Sequence, residues 1–263
     1  MGAGDDFIVT SIVKKAYAKH GKPICVGDGR DIKWEEVFDH NPKFARTIEP
    51  DAVWVHNIMF DRPYIDYFKT TTERMSYRHT FHVEPGEIFF HPQELRHKQT
   101  DFVYIEPNTK GTFSGNKDWG FEKWQSVVNL LPGVRFIQGR GRLLEGVEQV
   151  ETRTFRDACA LLSRAKFFVG TDGGLHHASA ALGLQAVVVW GGLVSPKILG
   201  YDTHINLHSG TSSCGSYGPC SHCKQALEWV KIEQVVNAIR SLADQKPSGD
   251  VSASSRVDQK NVA

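Results

Sequence analysis

The stretch KFFVGTDGGLHHASAALGLQAVVVWGG, residues 166–192, contains two short apolar runs separated by a polar loop and an alanine-rich segment. KFFVG (166–170) and QAVVVWGG (185–192) are predicted strands, and a short helix is predicted between them. An acid, two glycines and two histidines follow directly on the first strand. Either a tight turn with a helix cap or a site for a phosphate-bearing ligand would account for them.

The same alternation extends outward from this stretch. From residue 101 onward, four predicted strands alternate with three predicted helices. The other members are the strands 102–107 and 134–139 and the helices 121–131 and 154–165. The strands are near-continuous apolar runs, which are typical of a parallel sheet covered on both faces. The sequence therefore predicts an α/β fold.

The first hundred residues are less regular. A helix is predicted over 7–21, with Asp5 or Asp6 capping its start and Gly21 ending it. Short strands are predicted at 23–28 and 51–56, and an irregular region at 57–98 with a strand near 88–90.

Composition excludes several classes of protein. The 263 residues carry a formal charge of +1, which gives no argument for a nucleic-acid partner. No apolar run reaches the roughly 18 residues that a transmembrane helix needs, and the first residues lack the pattern of a signal peptide. Five cysteines do not make a disulfide scaffold in a chain of this length. We therefore expect a cytoplasmic protein.

Charged and glycine-rich loops follow the predicted strands of the regular half. They carry lysines (Lys110, Lys117), arginines (Arg140, Arg142), Asp172-Gly173-Gly174 and Gly191-Gly192. In an alternating α/β sheet, ligands bind outside the carboxyl ends of the strands. Glycines allow close backbone approach, and a helix N-terminus offers free N–H groups to an anion. An acid here would repel phosphate, so Asp172 is expected to cap the helix or to orient a neighbour. The loops together predict a site for a nucleotide-like ligand.

Two motifs in this half resemble glycosyltransferase family 9, the heptosyltransferases of lipopolysaccharide core synthesis and their relatives. One is Asp172-Gly173-Gly174-Leu175-His176-His177, and the other is Lys117-Asp118-Trp119 in the preceding loop. The resemblance covers about residues 101–205. It implies a GT-B architecture of two Rossmann-type domains with parallel sheets, of which the N-terminal one is reduced here.

The resemblance also implies a division of the chain. Residues 1–98 would form the acceptor-side domain and residues 99–223 the nucleotide-sugar donor domain. Residues 224–243 would be a closing helix that packs back on the N-terminal domain, and 244–263 a disordered tail.

The donor site implied by the resemblance is built from these loops. Lys117 would contact the diphosphate, and the glycines would line the pyrophosphate pocket through their N–H groups. The residues expected at the donor are Thr109, Ser114, Lys117, Glu145, Asp172, Gly173, Gly174, Leu175, His176 and His177.

Gly4-Asp5 resembles the family's Gly-Asp pair, whose aspartate is the presumed general base. The strand that precedes this pair in the family does not appear in this sequence. A carboxylate beside an acceptor hydroxyl can take its proton as a glycosidic bond forms, and Asp6 is a second carboxylate that could serve. The resemblance thus implies an inverting glycosyltransferase that needs no cofactor for catalysis. Its expected donor is a nucleotide-diphosphate sugar, with an ADP-linked one favoured and heptose among the candidates, and its expected acceptor a glycan or lipid-linked hydroxyl.

Two other functions fit the same sequence. One is a catalytically degenerate module that binds a nucleotide or sugar, and the other is a sugar-nucleotide epimerase of similar architecture.

Cys214, Cys220 and Cys223 form a C-x5-C-x2-C cluster. This spacing is compatible with a structural zinc or iron, with His204, His208 or His222 as the fourth ligand. A cluster of free thiols or a single redox disulfide would also explain it.

Overall fold

A computed structural model describes residues 2–57, 61–109 and 115–245 of the chain. The helices are α1 Ala3–His20, α2 Phe121–Asn129, α3 Phe155–Leu162, α4 Gly174–Ala181, α5 Pro196–Leu199, α6 Ser221–Trp229 and α7 Ile232–Ala243. The strands are β1 Ile24–Gly27, β2 Val53–His56, β3 Val103–Glu106, β4 Phe136–Gln138, β5 Glu148–Gln149, β6 Phe167–Thr171, β7 Gln185–Val189 and β8 His204–Leu207.

Six of the strands form one parallel sheet in the order β5-β4-β3-β6-β7-β8. The chain moves outward from β3 in one direction, then returns to β6 and moves outward in the other. This is the strand order of a Rossmann-type sheet, in which ligands bind where the order reverses. The reversal lies between β3 and β6, so the loops after these two strands form the expected ligand crevice. The predicted α/β fold with parallel sheets is confirmed.

Both faces of this sheet are covered by helices. Tyr104 and Phe168 point to one face, in a cluster with residues of α3 and α4. Val103 and Val169 point to the other, in a cluster with residues of α2 and α7. Successive strand residues alternate between faces, so burial of both explains why the strands are almost wholly apolar.

The N-terminal residues pack on the α3–α4 face of the large sheet. Strands β1 and β2 form a separate two-stranded parallel sheet, and α1 lies against α4. Phe7 of α1 makes an edge-to-face contact with Phe155 of α3, at a centroid distance of 6.2 Å. One apolar cluster therefore runs across the predicted domain boundary at residue 98, and the division into two domains stays a prediction.

Several elements differ from the sequence expectations. Helix α1 begins at Ala3, a turn early, because Asp5 Oδ2 accepts the Gly2 N–H at 3.1 Å from inside the first turn. No strand forms near 88–90, whereas β5 and β8, which pair with the edges of the predicted four strands, are additional.

The closing helix also differs from its prediction. Two helices, α6 and α7, replace the single one, because Val230 between them has an extended backbone with φ −77° and ψ 113°. Helix α7 packs against α2 and β7 of the large sheet, where Val235 and Ile239 are buried, and its packing on the N-terminal residues stays a prediction. The predicted tail falls outside the described residues from position 246 onward.

Candidate functional site

The loops after β3 and β6 are joined by an ion pair. Lys117 Nζ lies 2.6 Å from Asp172 Oδ2, and only 4 % of the Asp172 side chain is exposed. Lys117 ends a 3-10 turn at Gly115–Lys117, and Asp172 follows the last residue of β6. The pair thus spans the point at which the strand order reverses. Of its two expected roles, capping the helix or orienting a neighbour, the contact fits the second. Asp172 holds Lys117, whose charge offsets its own.

Helix α4 begins directly after Asp172. Its first N–H groups have no partner within the helix and carry the positive end of the helix dipole. A Cβ on Gly173 would meet nothing closer than Thr171 O at 3.9 Å, so this turn faces open space. A Cβ on Gly174 would lie 2.9 Å from the Phe155 ring and 3.4 Å from Ala3 Cβ. Gly174 therefore lets α1 and α3 pack closely, while Gly173 lines the crevice.

The two histidines of α4 are buried in a cluster of rings. His177 Nδ1 lies 2.7 Å from the Tyr201 hydroxyl, and the His176 ring packs edge-on against Trp190. Burial lowers the pKa of His177 to about 4, against the opposing attraction of Asp172. Burial also lowers the pKa of His176 well below its ordinary value, with the neighbouring histidines adding to the effect. Both rings are therefore neutral at pH 7.

His176 has no hydrogen-bond partner at either ring nitrogen among the described residues. Its Nδ1 lies 3.9 Å from Asp172 Oδ1, which is also unpartnered there. The ligand atoms of Asp172, His176 and His177 lie within 4.8 Å of one another, a spacing that a metal ion could bridge. The Lys117 ammonium already contributes a positive charge to this carboxylate, so it competes with a cation.

The start of α1 lies against α4. A Cβ on Gly4 would be 2.7 Å from His177 Cδ2, so only glycine allows this approach. Asp5, the next residue, is largely buried. Its Oδ1 accepts a hydrogen bond from the Tyr64 hydroxyl at 2.5 Å, and its Oδ2 lies 3.1 Å from Arg62. The carboxylate of Asp5, one of the two predicted catalytic groups, therefore lies beside the N-terminal turn of α4. It contacts the Arg62 guanidinium and the Tyr64 hydroxyl.

Asp6, the alternative base, has different neighbours. It is 5 % exposed, and its Oδ1 has no partner among the described residues. Burial, with nearby Glu35 and Asp5, raises its pKa to about 6. Asp6 is thus buried near other carboxylates, whereas the carboxylate oxygens of Asp5 contact the side chains of Tyr64 and Arg62.

The remaining donor-site predictions have mixed outcomes. Leu175 is buried in the apolar cluster that α4 shares with α1. Thr109 is half-buried in the loop after β3, and Ser114 lies outside the described residues. Glu145 is exposed, and Gln125 holds its backbone through bonds of 2.8 and 3.1 Å. The roles of these four residues at a donor stay predictions.

The cysteines form a compact cluster at the end of β7. Cys214 Sγ lies 3.1 Å from Cys223 Sγ and 3.7 Å from Cys220 Sγ. The ligand atoms of Cys214, Cys223 and His222 lie within 4.8 Å of one another, and His222 Nδ1 is buried without a partner among the described residues. Two thiols and an orphaned imidazole nitrogen could hold a zinc or iron ion, and the third thiol, of Cys220, lies next to Cys214. Of the three candidate histidines, His222 is the one grouped with these cysteines, whereas His204 packs against His176.

Sequence reasoning missed several residues of this site. Arg62 and Tyr64 lie in the region that was expected to be irregular, and no periodic pattern marks them. Tyr201 follows α5 and reaches His177 through a tertiary contact. Glu106 ends β3, where burial raises its pKa to about 7 against the hydrogen bond from the Asn108 N–H. Its position at the carboxyl end of a predicted strand was the one available signal.

Comparison with known proteins gives partial structural similarity. No family model and no curated protein matches the chain. Among solved structures, E. coli heptosyltransferase WaaC with ADP-2-deoxy-2-fluoro heptose is 21% identical, with a TM-score of 0.43 over 57% of this chain and 46% of that chain. E. coli ADP-heptose lps heptosyltransferase II is 15% identical, with a TM-score of 0.46 over 60% and 53%. The iron-containing dodecameric glycosyltransferase TibC from enterotoxigenic E. coli H10407 is 18% identical, with a TM-score of 0.48 over 68% and 53%.

The chain spans about half the length of these structures. They belong to the class that the sequence motifs resemble, the nucleotide-sugar glycosyltransferases. Within the part of the chain that the structure describes, no helix has the length and apolar character needed to cross a membrane.

Proposed function

We propose that this protein is an inverting glycosyltransferase that transfers a sugar from a nucleotide-diphosphate sugar to a hydroxyl of a glycan or lipid-linked acceptor. The observation that carries the proposal is the ion pair between Lys117 Nζ and Asp172 Oδ2, 2.6 Å apart at the N-terminus of α4. The pair lies where the strand order of the sheet reverses. The motifs that contain both residues resemble those of glycosyltransferase family 9.

The donor diphosphate binds between Lys117 and the first turn of α4. Asp172 holds the lysine at the crevice, and pairing with the ammonium lowers the repulsion that a lone carboxylate would exert on phosphate. The open face at Gly173 leaves the free N–H groups of α4 accessible to phosphate oxygens. As the sugar departs, these groups stabilise the charge that develops on the diphosphate.

Asp5 acts as the general base. Its carboxylate lies next to α4, because Gly4 packs on His177, and it is therefore near the donor's leaving group. Arg62 and Tyr64 hold one oxygen each and fix the orientation of the carboxylate. Asp5 removes the proton of the acceptor hydroxyl as that oxygen attacks the anomeric carbon from the face opposite the diphosphate. The bond to the diphosphate breaks as the new bond forms, which inverts the anomeric centre.

An ADP-linked sugar is the favoured donor, and heptose is the first sugar to test. The test is to incubate the protein with ADP-linked heptose and glycan acceptors, and to measure release of ADP together with labelled product. We expect acceptor-dependent ADP release that Asp5→Asn abolishes. Donor binding without turnover would support the degenerate binding module, and an epimerised sugar formed without acceptor would support the epimerase.

We also propose a structural metal at the cysteine cluster, held by Cys214, Cys220, Cys223 and His222. Zinc or iron fits three thiolates and an imidazole, and such an ion would close the loop onto the end of β7. It takes no part in the transfer. Elemental analysis of untagged protein should give one zinc or iron per chain, and less than a tenth of that in Cys223→Ser. Wild-type protein without metal would contradict the proposal.

A further inference from the structure

Asn116 connects the cysteine cluster to the lysine of the candidate donor site. Its side chain is 5 % exposed and all of its hydrogen-bonding groups are used. The amide nitrogen donates to Ser216 O at 3.1 Å and to Gly218 O at 2.7 Å, and the amide oxygen accepts the Cys220 N–H at 3.0 Å. All three partners lie in the loop that carries the cysteines, about a hundred residues further along the chain.

The residue after Asn116 is Lys117, so the position of the lysine depends on this contact. The 3-10 turn Gly115–Lys117 is too short to hold itself. On its far side, Trp119 is buried and donates from Nε1 to Val230 O at 3.1 Å. Lys117 is thus held between two anchors, one of which is the cysteine loop.

Two adjacent glycines make room for this arrangement at the end of β7. A Cβ on Gly191 would lie 2.5 Å from Asn116 O, and a Cβ on Gly192 would lie 2.5 Å from His222 Nδ1. The Cys214 N–H also donates to Gly192 O at 2.8 Å. The turn Gly115–Lys117 and the cysteine loop therefore pack side by side on Gly191 and Gly192, and a shift of either displaces the other.

We propose that occupancy of the cysteine cluster by a metal ion controls the affinity of the donor site through Asn116, which is a positioning residue for Lys117. This inference rests on the proposed function and names its regulation. A bound ion fixes Cys220 and Cys223 relative to Cys214, and so fixes the carbonyls and the N–H that hold Asn116. When the ion leaves, the loop loosens and Lys117 is no longer held at the crevice.

The test measures ADP affinity by calorimetry for protein loaded with Zn²⁺ and for the same protein after chelation. We expect removal of Zn²⁺ to weaken ADP binding of the wild type about tenfold, since a charge-assisted contact is lost. In Asn116→Asp, which keeps the acceptor but loses both donors, ADP binding should be weak with or without Zn²⁺. Asn41→Asp is the matched control, because Asn41 is equally buried but contacts Lys43 N, and it should behave as the wild type.

Three results would overturn the proposal. One is a wild type whose ADP affinity is the same with and without Zn²⁺. Another is Asn116→Asp with an intact tenfold dependence on Zn²⁺, and the third is a protein that takes up no Zn²⁺. Because linkage is reciprocal, ADP must also tighten Zn²⁺ binding of the wild type by the same factor, a measurement that needs no variant to fold.

Hydrogen exchange of residues 115–120 separates this inference from the proposed function. Chelation of Zn²⁺ from the wild type should speed exchange in this segment, even if no nucleotide binds. Faster exchange without binding of ADP, UDP, GDP or CMP would support the link between the cysteine cluster and the Lys117 turn but refute the nucleotide site. Unchanged exchange together with tight ADP binding would refute the link between the cysteine cluster and Lys117 and leave the nucleotide site in place.

Discussion

Lys117 Nζ and Asp172 Oδ2 are 2.6 Å apart, although 55 positions separate them in the chain. The lysine follows β3 and the aspartate follows β6, the two central strands on either side of the reversal in strand order. The pair places a fixed cation next to the free N–H groups of α4. Because the pair itself is neutral, the net positive potential comes from the N–H groups of α4, while the ammonium stays available as a charged donor to a diphosphate.

Replacement of Lys117 by alanine should weaken nucleoside-diphosphate binding by about 1.5–3 kcal/mol, the worth of a charge-assisted contact. The control is Lys166→Ala at the start of β6, the end of that strand opposite Asp172, where Lys166 pairs with the exposed Asp101. That variant should bind as the wild type does. Equal losses in the two variants would mean that lysine removal acts through general stability or net charge.

Replacement of Asp5 by asparagine should leave ADP affinity within about twofold and reduce turnover by a factor of about 10² or more, because the amide cannot take a proton. Steady-state kinetics with the binding measurement separate the two effects. Asp6→Asn is the comparison, since Asp6 has different neighbours. Full activity in Asp5→Asn with loss in Asp6→Asn would transfer the base to Asp6.

Tyr64→Phe removes one hydrogen bond from the Asp5 carboxylate and keeps the ring in place. We expect turnover to fall about tenfold at unchanged donor affinity, since a base that loses an orienting bond spends less time in the reactive geometry. Tyr17→Phe is the control, because Tyr17 lies near the opposite end of α1 from Asp5. Unchanged turnover in Tyr64→Phe would show that the Tyr64 bond has no role in catalysis.

Gly4→Ala tests the close approach of α1 to α4. The new methyl group would lie 2.7 Å from His177 Cδ2 in a buried contact, so the helices must separate. We expect a loss of about 1–3 kcal/mol in the free energy of unfolding, the typical cost of overpacking. Thermal unfolding should show it, with Gly133→Ala as the control because no atom lies within 4 Å of the corresponding position there.

The buried histidines should lower the stability of the folded protein in acid. The pKa of His177 and that of His204 are each lowered by burial from 6.5 to about 4. Their folded forms bind fewer protons than the unfolded chain does between pH 6.5 and 4, so their contribution to stability is lost as the pH falls through this window. Each contributes at most about 3 kcal/mol.

The contribution of Asp6 to stability changes with pH in the opposite direction. Burial raises its pKa from 3.8 to about 6, so the folded state binds more protons in that window and loses stability as the pH rises through it. Asp6→Asn should therefore raise the unfolding temperature at pH 7.5, change it little at pH 4, and steepen the acid loss. Asp202→Asn, at a residue whose side chain is 94 % exposed, should change neither. His204→Gln, which cannot take up a proton, should lose less stability than the wild type between pH 6.5 and 4, and an equal loss would contradict the histidine assignment.

The regular half of the fold was predictable because its strands are apolar runs bounded by glycines and charges. The proximity of Lys117 and Asp172 was also predictable, since both follow predicted strands at one edge of a sheet. Strands β5 and β8 were not, because Glu148–Gln149 and His204–Leu207 carry few apolar residues. Arg62 and Asn116 depend on tertiary contacts, which no local pattern encodes. The cysteine spacing predicted a cluster, but only the tertiary positions of the side chains group His222 with Cys214 and Cys223 and place His204 against His176.

The most direct test of the central claim is a calorimetric titration of the wild type and Lys117→Ala with ADP, UDP, GDP and CMP. The account predicts selective binding of one nucleoside diphosphate, with ADP favoured, and a loss of about tenfold or more in the variant. If none of the four binds the wild type, the crevice between β3 and β6 is not a nucleotide site. The loops after these strands would then have a structural role only.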